Sequence, residues 1–493
     1  MKVLVFADDL TGGSGTAALL KEIGFETLIH LATVPKDPFL ESLVTHRMSA
    51  DSHLDLDEAH VLDLGTRNDT GVHAAAVLQA WLDATDVSRI DLVGLRIDST
   101  LRGPIAPSLD VLLQQDERRI AIVVAAHPRS GRTTLHGVHL VNGVPVHLSS
   151  VGNDPFSPVL ESNLASWIGG RSRFTNRSVD INIVRRGSRV ISKIIEDSYT
   201  NGVKVLFCDA ETESDINTIA RAAVDVRGNV PCIHPIPVDP GPLTAAMVRE
   251  QRGRQYARKL GASVLDSSVH RSTVAGNGEK RRVYFSESSE HYVTYYGDRV
   301  YVTDLGPTVF GISASLMKEA REQIDRLENN DGVVVIRYAG ESVEEIVRQM
   351  RDAVNRRNVI ANSGRNGGCC PVRVLFLRTD TWEAPIRCTN RVTAFLPTIL
   401  RAVLEEFPSL QGLYLSGGDA ARVTLSRVGV TRLMLLDEIA PITVLSKPID
   451  GLLAGKWVIM KGGAMGDHMA VVDAIERLYH EVHKANLGAR TTQ

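Results

Sequence analysis

Cysteine is scarce and unpatterned in this chain. Cys208, Cys232, Cys369, Cys370 and Cys388 are the five present in 493 residues, and no two form a CxxC pair. An odd count without metal-ligand spacing argues against a structural zinc site and for a reducing compartment. Net charge is also nearly absent, at −3, so nothing calls for nucleic acid or an acidic membrane surface as partner. No apolar run is long enough to cross a bilayer. The chain opens directly on a strand, without the basic and apolar regions of a secretory leader, and a cytoplasmic protein is expected. No repeat occurs at solenoid periods.

Hydrophobic content of 43% with 23% charged residues is ordinary for a globular protein. At about 100–200 residues per domain, the length suggests two or three domains. Short Val/Ile/Leu runs alternate with longer helical patterns, as in α/β folds. Strands are expected at Val3–Phe6, Thr27–Leu31, Val61–Leu64, Leu92–Leu95, Ile120–Val124 and Val203–Cys208. A second set is expected at Val300–Thr303, Gly332–Arg337, Val372–Leu377, Leu413–Leu415 and Trp457–Met460. Helices are expected at Gly71–Trp81, Ile105–Gln114 and Ser214–Ala223, and a long exposed loop at Asn358–Cys370. The proline-rich PIPVDPGPL and the polar stretch after it read as a connection. The division is therefore 1–235, a connecting segment 236–282, and 283–485.

In open α/β sheets ligands bind beyond the carboxyl ends of strands. Asp8 and Asp9 follow the first strand, ahead of a glycine-rich run, TGGSG, that reads as a turn. Thr66 and Arg67 follow VLDL, Arg96 to Gly103 follow LVGL, and His127 to Arg132 follow IVVAA. Asp9 or Asp98 could orient or deprotonate a hydroxyl, and Arg67, Arg96 and Arg102 carry the fork suited to carboxylate or phosphate. Together they describe a pocket for a small hydroxylated anion. The competing reading makes Asp98 and Arg102 a surface ion pair, with Ser99 or Thr100 capping the helix at Ile105.

Near the C-terminus, Gly417 and Gly418 lie between a strand and a helix beginning near Ala420, and Lys461 precedes a second glycine run. Backbone amides at a helix start favour phosphate, and a lysine beside them adds charge, so a nucleotide is expected there. Neither named phosphate motif fits. Gly451 to Lys456 is one residue short of a Walker A loop and is followed by Trp457. Gly13 to Ala18 fits the GxGxxA of a dinucleotide fold, but six residues separate it from its strand. An NAD-dependent oxidoreductase is thus only the second reading.

ADDLTG at 7–12, DSTLRG at 98–103, HPRSGRTTLHGVHLVNGVPV at 127–146, SGGD at 416–419 and the run from Lys461 to Gly466 occur in this order. The chain resembles the four-carbon acid sugar kinase family, over residues 1 to about 225 and about 395 to 480. The resemblance implies two α/β domains, the first binding a short sugar acid and the second ATP, with the active site in the cleft between them. It implies an ATP- and Mg²⁺-dependent kinase acting on a hydroxyl of threonate, erythronate, an oxo-tetronate or a close relative. The substrate residues would be Asp8, Asp9, Arg67, Arg96, Ile97, Asp98, Ser99 and Arg102, with Asp9 or Asp98 as the catalytic acid. The ATP residues would be Ser315, Gly417, Gly418, Asp419, Ala420, Lys461 and Gly463. No metal ligand is assigned, and an assembly of like chains is compatible with the reading. The chain departs from the family pattern at Gly15, where an acid is usual, at Arg96 for Lys, at Ala420 for Thr, and in KGGAMG for KSGGFG. A non-catalytic sugar-acid sensor on the same fold is the other alternative.

Overall fold

The computed structural model describes residues 1–31, 57–149, 152, 154, 157–259, 294–296, 299–301, 306–315, 318–362, 371–379, 389–463 and 466–490. Within them, fifteen strands form one sheet. The first eight are β1 (Lys2–Ala7), β2 (Glu26–Leu31), β3 (Glu58–Asp63), β4 (Leu92–Arg96), β5 (Arg119–Val123), β6 (Asn176–Val179), β7 (Val205–Cys208) and β8 (His234–Asp239). They run parallel in the order β2-β3-β1-β4-β8-β5-β7-β6. Helices cover both faces, so these strands read as unbroken apolar runs rather than alternating ones. Val3, Val5, Phe6 and Ala7 are all fully buried.

The other seven are β9 (Val309–Ser313), β10 (Val333–Arg337), β11 (Val374–Arg378), β12 (Gly412–Ser416), β13 (Arg432–Ala440), β14 (Thr443–Pro448) and β15 (Trp457–Lys461). Their order is β10-β11-β9-β12-β15-β14-β13. Strand β13 then pairs antiparallel with β2, placing Leu433 opposite Ile29. Both halves of the molecule therefore share one sheet and a buried seam. Each half has a switch point where the strand order turns back, beside β1 and beside β9. The crevices that bind ligands in such sheets open there.

Residues 236–259 of the expected connecting segment belong to the first half, and 260–282 lie outside the described residues. Strand β8 lies between β4 and β5, and helix Pro242–Lys259 follows it. The buried Asp239 caps that helix, accepting from the amides of Gly241 (2.8 Å) and Leu243 (2.6 Å). Two prolines hide this strand, since proline is rare inside a sheet. His234 and Val238 bond toward β5, which leaves Pro235 and Pro237 facing β4. The ladder with β4 begins only at Val238, so no amide is missing from it. Gly94 on β4 makes the room, since a Cβ there would lie 3.3 Å from Pro237 Cγ.

A second reading also changes. The TGGSG run is no turn, because helix Leu10–Glu22 starts at once and carries Gly12, Gly13 and Gly15 in its first turns. Strands β6, β8, β9, β13 and β14 were not expected. Residues 358–362 of the expected loop belong to helix Val343–Asn362. Residues 363–370, the end of Val300–Thr303, Ala464, Cys369, Cys370 and Cys388 lie outside the described residues. No described helix is long and apolar enough to cross a membrane.

Gly94→Leu tests the proline strand's fit. Overpacking against Pro237 should cost about 1–3 kcal/mol. Denaturant unfolding would show it, and an unchanged midpoint would contradict the packing.

Candidate active site

Strand β1 ends at Ala7 and delivers Asp8 and Asp9 to its switch point. Asp9 caps the following helix, accepting from the Gly12 amide at 3.0 Å, which satisfies one of the orphan donors of a helix start. Glycine is needed at position 12 for a different reason. A Cβ there would fall 1.7 Å from Arg96 Cζ, so only glycine lets that guanidinium lie across the first turn.

Arg96 Nη1 donates to Asp8 at 2.9 Å and to Asp9 at 2.8 Å. Arg67 grips Asp8 with Nε and Nη2 at 2.8 and 3.0 Å, and its Nη2 lies 2.5 Å from Asp9 Oδ1 and 3.5 Å from Asp98. Asp98 in turn accepts from Arg102 Nε at 2.7 Å and from Thr100, while Arg102 reaches Asp154 at 3.0 Å. Burial works to raise the pKa of Asp9, but Arg67 and Arg96 outweigh it and hold the group below the ordinary value. The same opposition, with Arg102 and Arg67 as the cations, holds Asp98 well below it. Both are carboxylates at neutral pH.

The second half meets this cluster through β12 and the helix after it, Gly418–Arg427. Gly417 has φ 102°, a conformation that favours glycine. A Cβ on Gly418 would stand 3.1 Å from Thr11 Oγ1 and 3.2 Å from Asp9 Oδ2. The N-terminus of that helix thus rests directly against the Asp9 turn. Asn68 Nδ2 donates to Asp419 at 3.0 Å, and Arg422 Nε pairs with the fully buried Asp63 at 3.0 Å. Burial raises the pKa of Asp419, with Asp9 adding to the effect. Beyond β9, Ser315 faces the last loop, where a Cβ on Gly463 would be 2.4 Å from its Oγ. Gln323 fastens that loop by donating to the carbonyls of Gly466 and Asp467.

The two sets of motif residues therefore converge from opposite halves. Several roles shift on inspection. Arg67 commits its Nε and Nη2 to Asp8, Asp9 and Asp98. Ile97 turns its side chain into the apolar core. Ser99 lines a cleft beside Arg96, and its carbonyl meets His139 Nε2 at 2.8 Å. Ala420 is buried. Lys461 is fully buried, its amine donating to the carbonyls of Gly462 and Gly463, and burial lowers its pKa to about 8. It braces its own loop instead of standing free beside the amides. The Asp98–Arg102 pair exists, with Asp98 buried and Arg102 half-buried, and the helix at Ile105 has no side-chain cap. The GxGxxA run lies inside a helix, away from any strand end, which removes the dinucleotide reading. Asp63, Asn68 and Arg422 escaped the sequence reading, although an acid inside the apolar run VLDL was a signal for Asp63.

Residues 3–247 match the model of a sugar-binding N-terminal domain, and residues 310–471 that of a nucleotide-binding C-terminal domain. The chain belongs to the four-carbon acid sugar kinase family. It is 24% identical to a D-erythronate kinase of Heliobacterium modesticaldum, over 97% of this chain and 98% of the relative. It is 25% identical to a D-threonate kinase of Salmonella typhimurium, over 97% and 99%. Among solved structures, a Haemophilus influenzae protein aligns over 96% of this chain and 100% of its own, with TM-score 0.59 at 17% identity. A Salmonella typhimurium protein described as a putative tRNA synthase aligns over 96% and 98%, with TM-score 0.65 at 16% identity. At such identities the structures speak for the shared fold alone. Two α/β halves are what this family's two domains require.

Asp63 supplies a pH test of the junction. Burial pushes its carboxyl up to about 7, against the pull of Arg422 and with a further push from Asp9. A raised folded pKa means the native state holds the proton more tightly than the unfolded one. The stability it confers is complete below about pH 4, the ordinary range, and is lost as pH rises through 7. Asp63→Asn imitates the protonated form. Its melting temperature should be close to the native chain's at pH 5 and gain on it at pH 8. A gap that does not change with pH would contradict this.

Proposed function

We propose that the chain is an ATP-dependent kinase that phosphorylates a hydroxyl of a short sugar acid, of the four-carbon class on which its relatives act. The observation that carries this reading is the contact of Gly418 with Asp9. A helix N-terminus suited to phosphate abuts a carboxylate suited to a hydroxyl, with the Thr11 side chain packed beside them. In the reaction the acceptor oxygen bonds to the γ-phosphorus, the bond to the β,γ-bridging oxygen breaks, and ADP leaves. The transition state is loose, so positioning and charge neutralisation matter more than a strong base.

Asp9, ionised and fixed by Arg67 and Arg96, accepts the hydroxyl's hydrogen and aims its oxygen at the phosphate. Asp98 acts at one remove, holding Arg102 and Thr100. Gly417, Gly418 and Gly463 form a cradle that a Cβ would fill, which fits a polyphosphate at Ser315 and the two loops. Asp419, solvent-exposed and within the electrostatic reach of Asp9, is the residue that would hold Mg²⁺, and the ion would shield phosphate charge there. Cys208 and Cys232 are free thiols, in keeping with a cytoplasmic setting.

An ADP-release assay with ATP, Mg²⁺ and four-carbon sugar acids tests the reading. Turnover is expected with at least one acid. Gly418→Val should abolish ATP binding in calorimetry while the protein stays folded. Acid binding without ADP release would favour a sensor, and unchanged ATP affinity in Gly418→Val would move the nucleotide elsewhere.

A further inference from the structure

Strands β13 and β14 join through a two-residue loop, Pro441-Ile442, between the paired Ala440 and Thr443. Proline first and a left-handed residue second is the pattern of a type II turn, whose second place calls for glycine or asparagine. Ile442 stands there with φ 59°. A β-branched residue in this region is a genuine outlier, and such strain collects where a side chain has work to do. The tip is held from both sides. The Ile442 amide donates to Glu438 Oε1 at 3.1 Å, and the Gly462 amide donates to the Ile442 carbonyl at 3.1 Å.

The Ile442 side chain crosses the seam. A Cβ on Gly15 would lie 3.6 Å from Ile442 Cγ1, so the isoleucine covers the bare side of the first helix. Between them opens a cleft of about 50 Å³, which Arg96, Ser99 and His127 line from the first half and Glu438 and Ile442 from the second. Arg96 spends Nη1 on the two aspartates, yet its buried Nε has no hydrogen-bond partner among the described residues. An unsatisfied buried donor of this kind calls for an acceptor. His127 adds no charge at neutral pH, because burial lowers its pKa to about 4. The cleft begins at Arg96, one residue's reach from Asp9, and ends against Ile442.

We infer that Ile442 is a specificity-determining residue: the nucleotide-binding half lends its hairpin tip as the end wall of the acid pocket, and that wall limits the length of the carbon chain. The proposal rests on the kinase reading for the class of ligand. The acid's carboxylate takes the open side of Arg96, its phosphorylated hydroxyl lies back at Asp9, and Ile442 shuts out extra carbons. This explains a strained isoleucine that the hairpin itself has no use for.

Ile442→Gly separates the wall from the turn, since glycine accepts φ 59° freely and removes the side chain. Ile442→Ala, which keeps a Cβ at that φ, serves as the second variant. In the full chain, the four-, five- and six-carbon aldonates are compared by calorimetric Kd without nucleotide and by kcat/KM with ATP. The melting temperature of Ile442→Gly should be no lower than that of the native chain. Its preference for four over six carbons should fall by about tenfold or more, the usual worth of methylene-sized differences in an apolar pocket. KM for ATP should not move. An unchanged length preference in both variants overturns the wall. A native chain that binds acids without releasing ADP counts against the kinase, and the Kd series then decides the wall alone. A native chain that binds none of the three overturns both.

Discussion

Everything at the junction hangs on the ion cluster of Asp8 and Asp9 with Arg67 and Arg96. Asp9 and Arg96 are buried and Asp8 and Arg67 half-buried, and burial alone would drive the Asp9 carboxylate to protonate. Taking charges out of water is costly, and well-packed apolar residues would often serve stability as well or better. What the cluster provides is definition. Asp9 is held as an anion at a fixed place, capping a helix on one side and facing Gly418 on the other. Removal of one partner would strand a buried charge at about 3–5 kcal/mol, so the arrangement stands or falls as a unit.

Its placement follows from topology. Each half carries a run of parallel strands whose order turns back once, and β1 and β9 mark those points. Pairing of β13 with β2 joins the halves edge to edge, which brings the two crevices to one seam. Asp63 with Arg422, and Asn68 with Asp419, tie the helix after β12 to the exits of β3 and its following turn. The Gly417–Gly418 loop and the Asp9 turn are then neighbours by construction. The hairpin tip at Ile442 is part of the same geometry, since the strand that makes the seam also carries the wall.

Much of this was legible in the sequence where chemistry is local. ADDLTG, DSTLRG and SGGD each sit at a strand exit, and their acids, arginines and glycines do meet. The helix Ile105–Gln114 was found to the residue because its apolar spacing is regular. Local signals misled where packing overrode them. Glycines 12, 13 and 15 read as a turn, yet the Asp9 cap and the approach of Arg96 make them helical. Pro235 and Pro237 read as a linker because their exemption depends on which neighbour each faces. Strand β9 is a short VFGIS whose Gly311 admits the Phe376 ring, where a Cβ would fall 2.2 Å from Cδ2. Contacts such as Asp63 with Arg422 leave no periodic trace at all. The burial of Lys461 was hidden for the same reason.

The central claim is that the carboxylate at Asp9, and not the one at Asp98, orients the attacking hydroxyl at the nucleotide helix. Steady-state kinetics of Asp9→Asn and Asp98→Asn, side by side with ATP and the preferred acid, test it most directly. Asparagine still caps a helix, so the Asp9 variant should fold and bind ATP almost as before. Its kcat should fall by about 10²–10⁴-fold, the scale of a group that handles the reacting proton. Asp98→Asn should act mainly on the KM of the acid. Near-native turnover in Asp9→Asn, or the large loss of kcat falling on Asp98→Asn instead, would contradict the account.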